Sequence, residues 1–247
     1  MPIQLITIPS FEEYKNSLDY GKAVPFKVTI TTANPVVLKT PLLLDSLLAY
    51  GVAQRFNQDF PALPSDQAYS IPLPLTEYGR FNNLPIWNAS QFFPVNYEFS
   101  EQTFYQRSEI SHFRLLCPKL KKNPYKTKGQ YMARKEFLPL ISAEKFEAIG
   151  IGIISEVLFL LSQITFLGGK RSQGWGRIID LKVEETQEVV PHECAFFRPI
   201  PVEYLSSKEL QERLHKVKSL NLVKTGFTPP YWRKDLHEFC LGDFSRR

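Results

Sequence analysis

Cysteine, histidine and glycine are all scarce in this 247-residue chain, and each shortage narrows what the protein can be. The three cysteines, Cys117, Cys194 and Cys240, stand far apart without a C-x-x-C pair, which argues against a disulfide framework or a structural zinc site. Four histidines are the whole supply of imidazole for acid–base chemistry. The longest apolar stretch, Ile149 to Leu167, is interrupted by Ser155, Glu156, Ser162 and Gln163, so it reads as a buried helix rather than a membrane span. The opening Met-Pro-Ile-Gln-Leu-Ile has no basic segment leading into an apolar one, so no secretory signal is expected. The sequon at Asn88-Ala-Ser90 then carries no meaning. A soluble cytoplasmic protein follows, with no membrane partner, no cofactor and no metal.

What is present is a core-forming composition, 43% hydrophobic, with a formal charge of +5. The charge is uneven. Residues 1–100 hold 6 basic and 8 acidic side chains, residues 101–182 hold 14 and 7, and residues 183–247 hold 10 and 10. An anionic partner would therefore meet the middle third.

Val24–Ala33 alternates at Phe26, Val28 and Ile30, the pattern of a half-buried strand. Thr40-Pro41 reads as a helix start, and Leu43, Leu44, Leu47, Leu48, Val52 and Phe56 continue an amphipathic helix to about residue 56. Residues 57–100, rich in Pro, Asn and aromatics with short extended pieces such as Tyr69–Leu75 and Pro85–Pro94, read as a long irregular insertion, with bounds at about 57–107. Ser108–Cys117 and Tyr131–Ile141 read as the strands of a hairpin, joined by Lys119–Gln130. Phe146–Ile151 leads into a second helix over Ile153–Phe166, and Arg177–Val183 alternates as a strand. Glu193–Val202 is strand-like and Ser207–Ser219 helical. Without its insertions the order is βαββαβ, an α+β, ferredoxin-like (RRM-like) arrangement. Residues 1–183 form that domain, with the basic hairpin at about 108–141, and 184–247 form a C-terminal appendage packed on it.

Glycine numbers only 12 in the chain, yet four fall in nine residues, Gly168-Gly-Lys-Arg-Ser-Gln-Gly-Trp-Gly176. The spacing fits neither a Walker A loop nor a dinucleotide fingerprint, since Ile164, Arg171, Ile179 and Ser155 occupy positions those motifs reserve. What remains is a glycine loop flanked by Lys170, Arg171 and Arg177, with Trp175 inside it. Backbone N–H groups beside cations hold phosphates, and a ring or guanidinium plane stacks a base. The plainer alternative is a tight helix-to-strand connection with solvated charges. In the hairpin connection, Lys119, Lys121, Lys122, Lys126 and Lys128 stand without a balancing acid, an arm suited to an acidic partner.

The loop Gly168–Arg177, set between a second helix and a fourth strand, resembles the signature loop of the CRISPR-associated RAMP superfamily. Thr40-Pro-Leu-Leu-Leu-Asp-Ser-Leu-Leu-Ala-Tyr50 resembles the Leu-Asp-Gly-Leu-Leu-Ala type segment of the Cas five-type subunit of type IV effector complexes. Ser46 stands where that segment has glycine. Phe197-Arg-Pro-Ile-Pro201 is a fainter echo. The resemblance implies a non-catalytic RAMP subunit that binds the 5′ handle of a CRISPR guide RNA (crRNA). It would cap a filament of backbone subunits beside a large subunit, near the PAM duplex and so near target DNA. Gly168, Gly169, Lys170, Arg171, Gly174, Gly176 and Arg177 would approach the RNA backbone, with Trp175 or Arg171 near a base.

Two alternatives stay open. Some RAMP proteins cleave precursor RNA with a histidine, and here His112, on the strand entering the basic hairpin near Arg107 and Arg114, is the one to consider. Those three residues are otherwise RNA contacts. His192, His215 and His237 sit in a turn, on a solvated helix and in the tail. The third reading is a protein-interaction module whose basic face meets an acidic protein. Asp45, with no second carboxylate in its segment, reads as orienting a neighbouring loop, and Glu184, Glu185 and Glu188 as a solvated strand end.

Overall fold

Alternation in Val24–Thr32 turns Phe26, Val28 and Ile30 to one side, where all three are buried, and sets Lys27 and Thr29 on the other. This strand is the centre of the larger sheet. The computed structural model of the chain describes residues 3–57, 60, 62–106, 134–187, 194, 197–206, 208, 209, 211 and 221–242. In chain order the elements are β1 (Gln4–Ile6), α1 (Pro9–Ser17), β2 (Val24–Thr32), β3 (Val36–Val37), α2 (Leu44–Arg55), β4 (Gln67–Tyr69), β5 (Glu77–Phe81) and β6 (Leu84–Trp87). Then follow β7 (Phe93–Gln106), β8 (Arg134–Gly152), α3 (Ile154–Ser162), β9 (Ile178–Glu185), β10 (Ile200–Pro201), β11 (Asn221–Thr225) and β12 (Glu238–Gly242). The fold is mixed α/β, rich in strands and poor in helices.

In the main sheet β2 lies antiparallel to β8 on one side and to β9 on the other. The far edge of β8 pairs antiparallel with β7, and β3 pairs with β8 beyond the end of β2. Leu44, Leu48 and Val52 of α2 and Val157, Leu160 and Leu161 of α3 close over Phe26, Val28, Ile30, Phe146 and Ala148 to make the main core. Each of these side chains other than Ala148 contributes about 1.5–3 kcal/mol by leaving water. A second core joins Ala68, Leu84 and Ile86 to Ile200, Phe227, Leu236 and Cys240. Around it β12 pairs antiparallel with β10 and β11.

Several expectations need correction. The stretch 57–107 is more regular than its short extended pieces suggest: it holds β4, the β5–β6 hairpin and the 14-residue β7. Phe146–Ile151 is not a separate lead-in but the end of the 19-residue β8. Polar Ser142–Lys145 stays extended because β7 supplies ladder partners there, Tyr97 opposite Ala143 and Glu98 opposite Ser142. The first helix starts at Leu44 rather than at Thr40-Pro41. Leu42 and Leu43 are held extended against Gln91 and Phe92, with the Phe92 N–H donating to the Leu42 carbonyl at 2.7 Å. Tertiary pairing here outweighs a local capping signal. The second helix stops at Ser162, because the Leu167 N–H is taken by the Gly176 carbonyl at 2.7 Å and the Ile178 N–H by Thr165 at 2.9 Å. Within the strand-like 193–202 stretch the described strand is Ile200–Pro201.

The expected strand 108–117, the basic connection 119–130 and nearly all of the 207–219 helix lie outside the described residues. Among the described residues no helix is long and apolar enough to cross a membrane.

Candidate nucleic-acid interface

The glycine loop is tied down at both ends by the β2–β3 connection. The Gly169 N–H donates to the Val37 carbonyl at 2.9 Å, the Gly176 N–H to Pro35 at 3.0 Å and the Arg177 N–H to Asn34 Oδ1 at 3.1 Å. Glycine is required by this close approach. A Cβ on Gly168, at φ +79°, would lie 2.6 Å from the Val37 carbonyl oxygen, and one on Gly176, at φ +70°, would lie 2.0 Å from that of Leu167. Lys170 itself takes the left-handed conformation at φ 59°, where non-glycine residues are uncommon.

Within the loop the N–H groups of Gln173 and Gly174 donate to Lys170 and Arg171 carbonyls, each at 2.9 Å. The amides of residues 169, 173, 174, 176 and 177 are thus committed to the fold. The glycines serve chiefly to let the loop dock on its own chain, and these amides are not left over for a ligand. Trp175 packs on the fold as well. It is half-buried against Val37, Leu138 and Leu140, so part of the ring anchors the loop.

Lys170 and Arg171 point in different directions of use. Lys170 Nζ donates to Glu136 Oε2 at 2.6 Å, and Lys39 Nζ donates to Glu136 Oε1 at 2.6 Å. The hydrogen bond from Lys170, and then that from Lys39, holds the Glu136 carboxyl down at about 2, so the trio keeps one net positive charge. Arg171 lies over the Tyr50 ring, 5.2 Å from its centre, and donates to its hydroxyl at 2.7 Å. Gln54 Nε2 donates to the same hydroxyl at 2.6 Å. Lys39 and Tyr50 were not singled out from sequence as contacts. Tyr50 ends the helical segment on which the resemblance rests, and Lys39 immediately precedes it.

These groups stand along a groove of about 980 Å³ between the glycine loop, residues 37–43, the start of α2 and the C-terminal sheet. Lys39, Lys170, Arg171 and His237 are among its described lining residues, and no Asp or Glu is. Gly168 and Gly169 also line it, whereas Gly174, Trp175, Gly176 and the exposed Arg177 do not. His237 Nε2 lies 3.0 Å from the Tyr231 carbonyl oxygen. Arg107, His112, Arg114, Lys119, Lys121, Lys122, Lys126 and Lys128 lie outside the described residues, as do His192 and His215.

One wall of the groove is set by a buried ion pair. Asp45 Oδ2 accepts from Arg198 Nη2 at 2.8 Å and from the Tyr231 hydroxyl at 2.7 Å. Arg198, 1% exposed, also donates to the carbonyls of Trp87, at 2.6 Å, and of Phe227. Burial first, and then the Asp45 charge, pushes the Tyr231 phenol well above its ordinary value, so it remains a donor. Asp45 therefore orients loops, as its isolation in sequence suggested, and its partner comes from the Phe197–Pro201 echo. Among the described residues no three His, Cys, Asp or Glu side chains are grouped to hold a metal ion.

Residues 24–242 match the family model described as CRISPR type IV associated protein Csf3. No curated protein matches the chain. Among solved structures, a chain of the type III-B Cmr-beta complex bound to cognate target RNA matches at 12% identity and a TM-score of 0.36. That match covers 71% of this chain and 66% of the other, just under two thirds of its length.

Proposed function

We propose, from the premise that this chain belongs to the Csf3 family of CRISPR type IV associated proteins, that it is a non-catalytic subunit holding the 5′ handle of a guide RNA at the end of a backbone filament. The observation that carries this reading is the groove lined by Lys39, Lys170 and Arg171 without an acidic residue among its described lining. A polyanionic strand is the partner such a surface favours. The chain order β2-α2-β7-β8-α3-β9, with the antiparallel sheet order β9-β2-β8-β7, supports reading the unit as ferredoxin-like with the helices on one face. In this proposal the sequence-flagged loop cations act together with Lys39, and the basic connection at 119–128 extends the track toward backbone subunits, a large subunit or target DNA.

The expected test result is specific. Purified protein carries or binds a discrete repeat-derived RNA with one fixed 5′ end. Replacing Lys170 and Arg171 together by alanine weakens binding roughly 10- to 100-fold, as for two lost hydrogen bonds of about 1 kcal/mol each, and lowers the salt slope by about 1.4 for two single-strand phosphates. Unchanged affinity and slope would overturn the groove assignment. Metal-independent, His112-dependent cutting of precursor repeat RNA would overturn the non-catalytic role.

A further inference from the structure

The cationic groove does not end at Tyr50. A second groove, of about 770 Å³, runs along the outer side of α2 between that helix and residues 229–232, and Ser46, Tyr50 and Tyr231 line both. Its floor is apolar, with Phe60 and Ile71, and Ala49 and Ala53 keep the helix side shallow. At its rim Trp232 is 60% exposed, and Gln54 and Asn57 offer side-chain amides, each both donor and acceptor. No acidic residue is among its described lining.

We infer that this second groove takes an unpaired base of the same RNA strand, stacked on Trp232 and read at its edge by Gln54 and Asn57. The inference rests on the proposal that the first groove holds an RNA backbone. Tyr50 is the hinge between the two functions. Its hydroxyl receives Arg171 from the phosphate side and Gln54 from the base side, so the cation and the amide are set by one atom. A strand crossing Tyr50 leaves its phosphates beside Arg171 and turns a base toward the only exposed indole among the described residues, Trp87 being buried and Trp175 half-buried. Stacking on an aromatic ring tolerates any base, and the amides supply such preference as there is.

The test uses the full chain and single-stranded RNA decamers, one of oligo(A) and one of the same length with abasic sugars, across a salt series. Trp232→Ala is expected to weaken oligo(A) binding about tenfold, within the range for one stacked base, while leaving the salt slope unchanged because no phosphate contact is removed. Trp232→Phe should recover most of that loss. The abasic decamer should bind wild type and Trp232→Ala alike. RNA should quench wild-type tryptophan fluorescence, and Trp232→Phe should abolish most of the quenching. Because Trp232 is mostly exposed, the variants should keep the wild-type melting temperature, and a variant that melts early is replaced by Gln54→Ala with Asn57→Ala read on the same probes. Binding that depends on Lys170 and Arg171 but not on Trp232, or a Trp232→Ala loss that comes with a reduced salt slope, overturns the base site and leaves the RNA-binding reading intact. Failure of the wild type to bind either decamer or repeat RNA overturns both.

Discussion

Two carboxylates in this chain each hold cations, and they do so in opposite surroundings. Asp45 meets Arg198 with both side chains fully buried, whereas Glu136 meets Lys39 and Lys170 with about a third of its own surface open to water. The buried pair gathers α2, the end of β6 and the C-terminal segment around one guanidinium. Even so, Asp45 Oδ1 and Arg198 Nε find no hydrogen-bond partner among the described residues. A buried pair of this kind contributes little net stability over an apolar replacement, but removing one partner is costly. The open trio has the reverse properties. Water screens it, so it adds little to the fold, and its surplus positive charge remains available to an anionic ligand. The same functional groups fix architecture when dry and keep charge on offer when wet.

The comparison breaks most visibly at Arg198. Arg198→Ala is expected to cost about 3–5 kcal/mol, as for a buried charge left without its partner, read from the denaturant midpoint. Adding Asp45→Leu to Arg198→Met should restore only part of this, because the Trp87 and Phe227 carbonyls would still lack their donor. Full restoration would mean that the charge pair alone matters, and a loss under about 1 kcal/mol for Arg198→Ala would remove the contrast with the open trio altogether.

The loop that carries Lys170 comes next in size. Gly176→Ala places a Cβ against the Leu167 carbonyl in a left-handed conformation and should cost about 2–4 kcal/mol, combining conformational strain with overpacking. Gly174→Ala has the same φ problem at +84° but nothing within 4 Å, so about 1 kcal/mol is expected. Equal costs at the two sites would mean that the end of the loop does not close on the Leu167 backbone as described. The larger loss at Gly176 should also weaken RNA binding, since the docking there positions Lys170.

Local features were legible in sequence and distant ones were not. Val24–Thr32 alternates along its own length, and the glycine loop follows an apolar helix directly, so short-range pattern was enough for both. The Glu136–Lys170 pair spans 34 residues, the Glu136–Lys39 pair 97 and the Tyr50–Arg171 contact 121. No periodicity encodes such meetings; the first two exist because β3 pairs with β8 and meets the loop at Gly169, and the third because α2 brings Tyr50 to the loop. Trp175 shows the same limit. An aromatic in a basic loop reads as a stacking surface, and its packing against Val37, Leu138 and Leu140, which arrive from elsewhere in the chain, leaves no local trace. The second core was hidden because its strands are two to five residues long, too short to display alternation.

The smallest expected effect is the most direct check on the open trio. Glu136 has a folded-state carboxyl held at about 2 by Lys170 and Lys39, below its value in the unfolded chain. Its contribution to stability is therefore fully present above the ordinary carboxylate range and fades as pH falls toward about 2. Between wild type and Glu136→Gln, the difference in denaturation midpoint should hold steady from neutral pH to about pH 5 and shrink only below that. A difference that stays constant from neutral pH down to about pH 2 would mean that the carboxyl titrates alike in the folded and unfolded chain and that the two lysines are not gathered on it. Glu136→Gln should also bind the RNA decamer somewhat more tightly at low salt, because the competing carboxylate is gone while Lys39 and Lys170 remain. An unchanged or weaker affinity would mean that Glu136 serves to hold the lysines in place, and the open site would then owe more to architecture than the contrast with Asp45 allows.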